Sequence, residues 1–314
     1  MKKRCLHCNR PITDEHHQNQ WHSSCVKQFF GVSVLPPLNL TSEFLEQAVT
    51  QSVQEGYAVP GVQKKLSLHL SGELGKGQLT LIGQPLGYIL KLPSKEYPYL
   101  PEFEHLTMHL ASLANIETVE HALYRLEDGE YAYLCKRIDR LHNKKIAMED
   151  FCQLGERLTE DKYRSSYEHL GKILKRYSPR LLDAITLWSL LVFSFITGNS
   201  DMHLKNFSLY APDNLQYVLT PAYDLLPTNL ILKEDLEESA LTLRGKRSKL
   251  NRADFLYLAE AYGINAKASE TLMNRLMSLK GRFYEEIDQS LLPTKEQTNY
   301  KELIGSRINR LRVG

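Results

Sequence analysis

The sequence lacks the features that would point to a membrane, to nucleic acid or to the cell exterior. Its net charge is only +2, so the bulk composition favours neither nucleic acid nor an anionic membrane surface. The longest nearly uncharged apolar stretch, residues 184–197, covers about 14 positions, too few to cross a bilayer about 30 Å thick. The basic start leads into Cys5 and Cys8 instead of the apolar run of a signal peptide. We therefore expect a cytoplasmic protein with no membrane partner.

The sequence contains only five cysteines, an odd number. This favours a reducing compartment, in which the cysteines bind metal or pack in the core and do not form disulfides. Four possible metal ligands lie near the N-terminus, as Cys5-x-x-Cys8 and, thirteen residues later, His22-x-x-Cys25. Three thiolates and one imidazole form the tetrahedral set of a structural Zn²⁺ site, and such an ion would fold a segment with little apolar mass. We expect a zinc-knuckle-like segment over residues 1–35. The alternative is that these thiols are incidental.

Glycine-rich phosphate loops are missing, because the chain contains neither G-x-G-x-x-G nor G-x-x-x-x-G-K-[ST]. Residues 36–135 nevertheless predict a small, β-rich lobe, since apolar and polar residues alternate over 65–70 and 78–82 with a turn between them. The residues expected to bind a nucleotide in this part of the chain are Gly61, Val62, Gln63 and Lys64 before the hairpin, and Lys136 and Ile138 after the last strand.

Lys91 is the most informative residue of this lobe. It lies in a short apolar strand predicted over residues 87–93, where an ammonium group is costly without a partner. The helix predicted to begin at Pro101 offers Glu104, which lies off the apolar stripe of that helix. We therefore expect an ion pair between Lys91 and Glu104. Taken alone, either residue is more often an ordinary surface residue.

Residues 136–314 predict a larger, helical lobe. Apolar periodicity indicates helices over 151–158, 167–177 and 181–196, and the last is apolar on nearly all sides, as expected for a central core helix. A basic run follows at 244–249. This run is either a solvated face or a docking surface for an acidic or RNA-bound partner.

A polar loop, residues 198–206, follows the apolar helix and carries the candidate chemistry. Asp201 and Asn206 lie five positions apart, and a hairpin predicted over 207–219 is expected to return Asp224 beside Asn206. An Asp, an Asn and a second Asp provide one carboxylate that orients a hydroxyl group and two magnesium ligands, which is the set used in phosphoryl transfer. The D-x4-N spacing alone is also typical of an ordinary polar turn.

These motifs resemble those of the HipA family of bacterial Ser/Thr kinase toxins, in a short, HipT-like form. The resemblance covers about residues 56–258. The segments that carry it are Gly61-Val62-Gln63-Lys64-Lys65-Leu66, Tyr88-Ile89-Leu90-Lys91, the loop from Gly198 to Ser208, and Pro221-Ala222-Tyr223-Asp224. It implies an α+β, two-lobed protein-kinase-like fold with a small β-rich N-lobe and a larger helical C-lobe.

The resemblance also implies residue roles and cofactors, namely ATP and Mg²⁺. Asp201 would be the catalytic acid/base, and Asn206 and Asp224 would be the magnesium ligands. Lys91 would contact the ATP phosphates, with Lys205 as further phosphate support and His203 bracing the loop.

The resemblance to the HipA family also implies specific partners. Family members are toxins that a DNA-binding antitoxin neutralises, and they phosphorylate aminoacyl-tRNA synthetases, so contact with DNA would be indirect. Full-length members carry an N-terminal subdomain, which in the short form would be a separate small protein. Members also autophosphorylate serines beside the phosphate loop, but this chain has Ala58-Val59-Pro60 there. The sequence therefore leaves open whether and where this chain autophosphorylates.

Three functions remain open from the sequence. The first is an active Ser/Thr protein kinase, favoured by the set of Lys91, Asp201, Asn206 and Asp224. The second is a phosphotransferase that uses the same loop on a small hydroxyl-bearing substrate. The third is a zinc-stabilised regulatory module that binds ATP without turnover.

Overall fold

The structure is a computed structural model that describes residues 3–12, 17–38, 41, 43–44, 65–71, 77–80, 87–141, 144–213 and 215–312. The predicted phosphate loop, residues 61–64, lies outside these described residues. Within them, every helix is too short or too polar to span a bilayer.

The chain divides into two units. The first contains Met1–His105 and Val119–Lys144, and the second contains Leu106–Thr118 and Lys145–Gly314. The division falls within one helix, α2 (Leu100–Leu113). The domain limits expected from the sequence, 1–35, 36–135 and 136–314, remain predictions.

The first unit begins with a small N-terminal substructure and continues into a sheet. The substructure consists of β1 (His17–Gln18), β2 (Trp21–His22) and helix α1 (Ser23–Phe30). The sheet strands are β3 (Lys65–Ser71), β4 (Gln78–Thr80), β5 (Tyr88–Lys91), β6 (His121–Arg125) and β7 (Tyr131–Lys136). Two short strands, β8 (Arg140–Leu141) and β9 (Lys144–Lys145), follow.

The five sheet strands pair antiparallel in the order β4-β3-β5-β7-β6. The predicted hairpin is therefore β3 with β4, and the predicted strand of Lys91 is central. Strand β6 has no alternating pattern, because four of its five side chains are buried. An edge strand with buried side chains on both faces has to be covered by another part of the protein. Here the N-terminal substructure contacts this edge, because Leu123 of β6 donates its backbone N–H to the carbonyl of Leu6 (2.8 Å).

The second unit contains a three-stranded antiparallel sheet and most of the helices. Strand β11 (Ser208–Tyr210) lies between β10 (Met148–Asp150) and β12 (Val218–Leu219). The helices that follow β10 are α3 (Phe151–Leu154), α4 (Tyr167–Tyr177), α5 (Leu181–Thr197), α6 (Thr228–Ile231), α7 (Arg252–Ala261), α8 (Ala266–Ser278), α9 (Lys280–Asp288) and α10 (Thr294–Arg312).

Helix α5 forms the centre of this unit. Its residues from Leu187 onward are buried except Ser189, and the indole N–H of Trp188 donates to the carbonyl of Phe255 (2.8 Å). The all-round apolar pattern thus corresponds to a helix packed on every side. The helix predicted over 151–158 is shorter than expected and ends at Leu154. Gly155 caps it, and the next residue, Glu156, has a positive φ of 56°, which turns the chain away.

Candidate active site

The loop that carries Asp201 begins at a helix end that requires glycine. Gly198 follows helix α5 with φ 72° and donates its backbone N–H to the carbonyls of Phe195 and Ser194. Glycine adopts this left-handed backbone conformation at little cost in free energy because it has no Cβ. A Cβ at this position would also clash with the side chain of Leu303 on α10. The chain can therefore leave the apolar helix in one sharp turn only with glycine here.

Helices α6 and α10 hold the start of the loop. The backbone N–H of Ser200 donates to Thr228 Oγ1 (2.7 Å), and the backbone N–H of Asn229 donates to the carbonyl of Gly198 (3.0 Å). The Asn229 side chain donates to Ser200 Oγ (3.2 Å) and accepts from the guanidinium of Arg307 (3.0 Å). The position of the loop is thus fixed by residues of two helices that follow it in the sequence.

Asp201 lies in a partly closed, polar environment. Tyr163 donates its hydroxyl to Asp201 Oδ1 (2.7 Å), and the Asn206 amide nitrogen donates to the Asp201 carbonyl (2.8 Å). Burial raises the pKa of the Asp201 carboxyl, and the charge of Asp224 adds to this. The Tyr163 hydrogen bond and the neighbouring His203 act in the opposite direction. A carboxylate with a raised pKa is a better proton acceptor than a fully solvated one.

His203 is buried and packs against the Tyr163 ring. Its ring lies edge-on to the ring of Tyr163, with 5.0 Å between the centroids. Burial lowers the pKa of the His203 imidazole, which favours its neutral form, and the charge of Asp201 only partly opposes this.

Asn206 and Asp224 are brought close to this carboxylate. Asn206 is buried and uses its amide nitrogen within the loop, so its amide oxygen is the group available to a cation. Tyr223 accepts a hydrogen bond from Ser208 Oγ (2.7 Å) and donates to the carbonyl of Lys205 (3.1 Å). These contacts tie the segment of Asp224 to the loop. Asp224 itself has φ 60°, a left-handed conformation that Asp tolerates better than most residues.

Lys205 is paired with an acid in the second unit. Its ammonium lies 2.6 Å from the Asp150 carboxylate, which also caps helix α3 by accepting from the backbone N–H of Gln153 (2.9 Å). The expected contact of Lys205 with phosphate remains a prediction, and in this structure the pair fixes the loop to the start of α3.

In the first unit, Lys91 and Glu104 form an ion pair. The Lys91 ammonium lies 2.7 Å from Glu104 Oε1; Glu104 is fully buried and Lys91 is 9% exposed. The Lys91 ammonium also lies over the ring of Tyr133, at 5.4 Å. Lys136 pairs with Glu120 (2.6 Å). Ile138 is half-buried, in the turn after β7.

The N-terminal cysteines and histidine form a second cluster. The ligand atoms of Cys5, Cys8, His22 and Cys25 all lie within 4.8 Å of one another. Two elements bring them together: the turn after Cys5 and the start of helix α1.

Three of the four basic side chains in the run of residues 244–249 form ion pairs within the second unit. Arg244 and Lys246 both pair with the buried carboxylate of Asp254, and Arg247 pairs with Glu237 (3.1 Å). These ion pairs favour a structural role of the run over a docking surface.

Several residues around the site carry no recognisable motif. Tyr163 lies 38 positions before Asp201, and Arg307 lies 78 positions after Asn229. Neither spacing nor composition links these two residues to the loop, so the sequence does not predict their contacts.

Comparison with known proteins identifies the family. The model of the HipA-like C-terminal domain matches residues 57–281. A Sinorhizobium fredii protein named "Putative kinase Y4dM" is 31% identical over 239 residues, which are 71% of this chain and 58% of that protein. A Haemophilus influenzae protein named "Putative kinase" is 26% identical over 271 residues, which are 76% of this chain and 77% of that protein. This chain thus spans less than two thirds of the first of these relatives.

Two solved structures share the fold. HipA of the Shewanella oneidensis toxin–antitoxin system, in complex with HipB and operator DNA, superposes with a TM-score of 0.66. It is 19% identical, and the match covers 87% of this chain and 71% of HipA. The Helicobacter pylori proinflammatory kinase CtkA superposes with a TM-score of 0.53 at 15% identity, covering 78% of this chain and 94% of CtkA. With a family match over residues 57–281, the chain belongs to the HipA-like C-terminal domain family.

Proposed function

We propose that this chain is an ATP- and Mg²⁺-dependent Ser/Thr protein kinase that acts as the toxin of a bacterial toxin–antitoxin system. The observation that carries the proposal is the grouping of Asp201, Asn206 and Asp224 around one loop, with the pKa of Asp201 raised by burial. Kinases need one carboxylate near the attacking hydroxyl group and two oxygen ligands for magnesium. Membership of a family with kinase-named relatives supports this choice.

In the proposed mechanism, Asp201 orients the substrate hydroxyl and accepts its proton as the oxygen attacks the γ-phosphorus. The bond between the γ-phosphorus and the β–γ bridging oxygen breaks, and ADP leaves. The Asn206 amide oxygen and the Asp224 carboxylate would hold Mg²⁺, which when bound neutralises charge on the phosphate oxygens. Lys91, held by Glu104, would contact the α- and β-phosphates. His203 keeps the loop compact beside Tyr163.

Tyr163 has a defined part in this mechanism. Its hydroxyl donates to Asp201 Oδ1, in the same manner as a substrate serine or threonine hydroxyl would. The pKa of Tyr163 is raised by burial and by this hydrogen bond, so the phenol stays protonated and remains a donor. A substrate hydroxyl that approaches this oxygen displaces the Tyr163 hydrogen bond.

The test of the chemistry compares two conservative substitutions. Asp201→Asn should reduce transfer of labelled phosphate from ATP to protein by about 10²- to 10⁴-fold, since a positioned base contributes that much. Asp213→Asn is the matched control, because Asp213 lies in an exposed turn of the same unit and its carboxylate accepts from the backbone N–H groups of Leu215 and Gln216. Full transfer by Asp201→Asn would contradict the mechanism. Label confined to small molecules would favour the small-molecule phosphotransferase instead.

The toxin role needs a cellular test. We propose that the target is an aminoacyl-tRNA synthetase and that a DNA-binding antitoxin, and a separate small subdomain protein, bind the chain. The HipA neighbour was solved with HipB and operator DNA, which supports an antitoxin partner. Phosphoproteomics after induction of the wild type and of Asp201→Asn should show synthetase phosphopeptides and arrested growth only with the wild type. Identical phosphopeptides and growth in both cultures would refute the toxin role.

A regulatory module without turnover is the remaining alternative. It predicts a thermal shift with ATP in both the wild type and Asp201→Asn, with no phosphoryl transfer by either.

A further inference from the structure

We propose that Cys5, Cys8, His22 and Cys25 bind one zinc ion in a closed, structural site that fastens the N-terminal substructure to the sheet of the first unit. In a tetrahedral site with Zn–S near 2.3 Å and Zn–N near 2.0 Å, neighbouring ligand atoms lie about 3.6–3.8 Å apart. His22 Nδ1 lies 3.5 Å from Cys8 Sγ and 3.8 Å from Cys25 Sγ. The spacing therefore matches that of ligands around one ion.

The surroundings of His22 select the ring nitrogen that a metal needs. His22 Nε2 lies 3.2 Å from the carbonyl oxygen of Pro11, which can only accept a hydrogen bond. Nε2 therefore carries the proton, and Nδ1, which faces the thiols, has its lone pair free for a cation. Metal-binding histidines are oriented in this way by a partner on the second nitrogen.

The backbone around Cys5 also suits a metal-bound thiolate. Cys5 Sγ accepts the backbone N–H of His22 (3.4 Å), while the Cys5 carbonyl accepts from Asn9 (3.0 Å) and closes the turn that carries Cys8. Asn9 itself has φ 54°, which lets the chain reverse directly after Cys8. An N–H donor stabilises negative charge on sulfur, and a tight turn directs both sulfurs to one point.

Four protein ligands leave no open coordination position, so the ion would be structural rather than catalytic. Its effect on the fold follows from the contacts that the residues next to each ligand pair make with the sheet. The first pair encloses Leu6, whose carbonyl accepts the N–H of Leu123 in edge strand β6 (2.8 Å). The second pair begins helix α1, where Phe29 packs on Tyr88 of β5 (5.8 Å between ring centroids) and lies under the ammonium of Lys136 (5.3 Å). Zinc thus joins two contacts with the sheet that the short segment could not hold by its own core.

Metal and thiol content test the site in the purified full chain. We expect about one zinc per chain by mass spectrometry of metals, and all five cysteines free after denaturation with a chelator. Cys8→Ala should lose the metal, while Cys8→His should keep it because histidine is also a zinc ligand. Cys152→Ala is the matched thiol control, since Cys152 lies in the second unit and its thiol donates to the carbonyl of Leu158 (3.1 Å).

The fastening is tested by limited proteolysis and thermal unfolding. Chelation of the wild type should expose residues 17–30 to protease and lower the Tm to that of Cys8→Ala, whereas chelation should leave Cys8→Ala unchanged. A metal-free wild type with only three free thiols would instead show a disulfide and overturn the site. Bound zinc whose removal leaves the proteolysis pattern unchanged would overturn the fastening. None of these readouts depends on phosphoryl transfer.

Discussion

Substitution of Gly198 by alanine gives a quantitative test of how the loop is positioned. A non-glycine residue in the left-handed region costs about 1–2 kcal/mol, and alanine recovers about 0.4–1 kcal/mol because it restricts the unfolded chain. The new methyl group also meets the side chain of Leu303, and overpacking of this kind costs about 1–3 kcal/mol. We therefore expect Gly198→Ala to lower the free energy of unfolding by about 2–3 kcal/mol.

Gly263→Ala separates the two contributions. Gly263 has φ 80°, close to the 72° of Gly198, but among the described residues beyond its two chain neighbours no atom lies within 4 Å of a Cβ built on it. It should therefore cost only the backbone part, about 1 kcal/mol or less. The difference between the two variants measures the contact with Leu303. In the double variant Gly198→Ala with Leu303→Ala this contact is removed, so the variant should unfold with a smaller loss than the sum of the single variants.

The measurement is urea unfolding followed by circular dichroism, with free energies taken from the midpoint and slope. Equal losses for Gly198→Ala and Gly263→Ala would refute the proposed clash. A loss below about 0.5 kcal/mol for both variants would refute the backbone argument as well.

Two further substitutions test charge interactions in the two units. Tyr163→Phe removes a hydrogen bond that lowers the pKa of Asp201, so the acidic limb of the pH dependence of kcat/KM should move to higher pH. An unchanged or lower limb would contradict the contact. Glu104→Gln leaves the Lys91 ammonium buried without its carboxylate and should lower the free energy of unfolding in urea by about 3–5 kcal/mol. The double variant Lys91→Met with Glu104→Leu should recover most of that loss, and an equal loss in both variants would show that the ion pair is not the cause.

The helices of the second unit could be predicted from the sequence where a local pattern of apolar residues and a capping residue define their limits. Helix α4 has the predicted limits, 167–177, because Ser166 caps its first turn and accepts from the backbone N–H of His169. Helix α5 extends one residue beyond the predicted 181–196, up to the glycine that ends it. The ion pair of Lys91 with Glu104 was predictable for a different reason, since a buried charge requires a partner nearby.

Contacts between distant segments could not be predicted in the same way. Strand β10 pairs with β11 across some 60 residues, and nothing in its three-residue sequence separates it from a loop. The hydrogen bond from Tyr163 to Asp201 joins two turns that lie 38 positions apart in the sequence. The pairing of Lys205 with Asp150 likewise follows from β10 and the start of α3 lying beside the loop, and neither spacing nor composition encodes that proximity.

Helix α10 has a consequence for the choice of fragments. It spans Thr294–Arg312 and lies wholly beyond residues 57–281, the region shared with the family. Its Arg307 nevertheless reaches Asn229, which holds the loop of Asp201. A fragment cut to the shared region would keep the residues proposed to react but lose the contact of Arg307 with Asn229. We therefore expect that an active fragment of this chain must extend beyond the region matched by the family model and include helix α10.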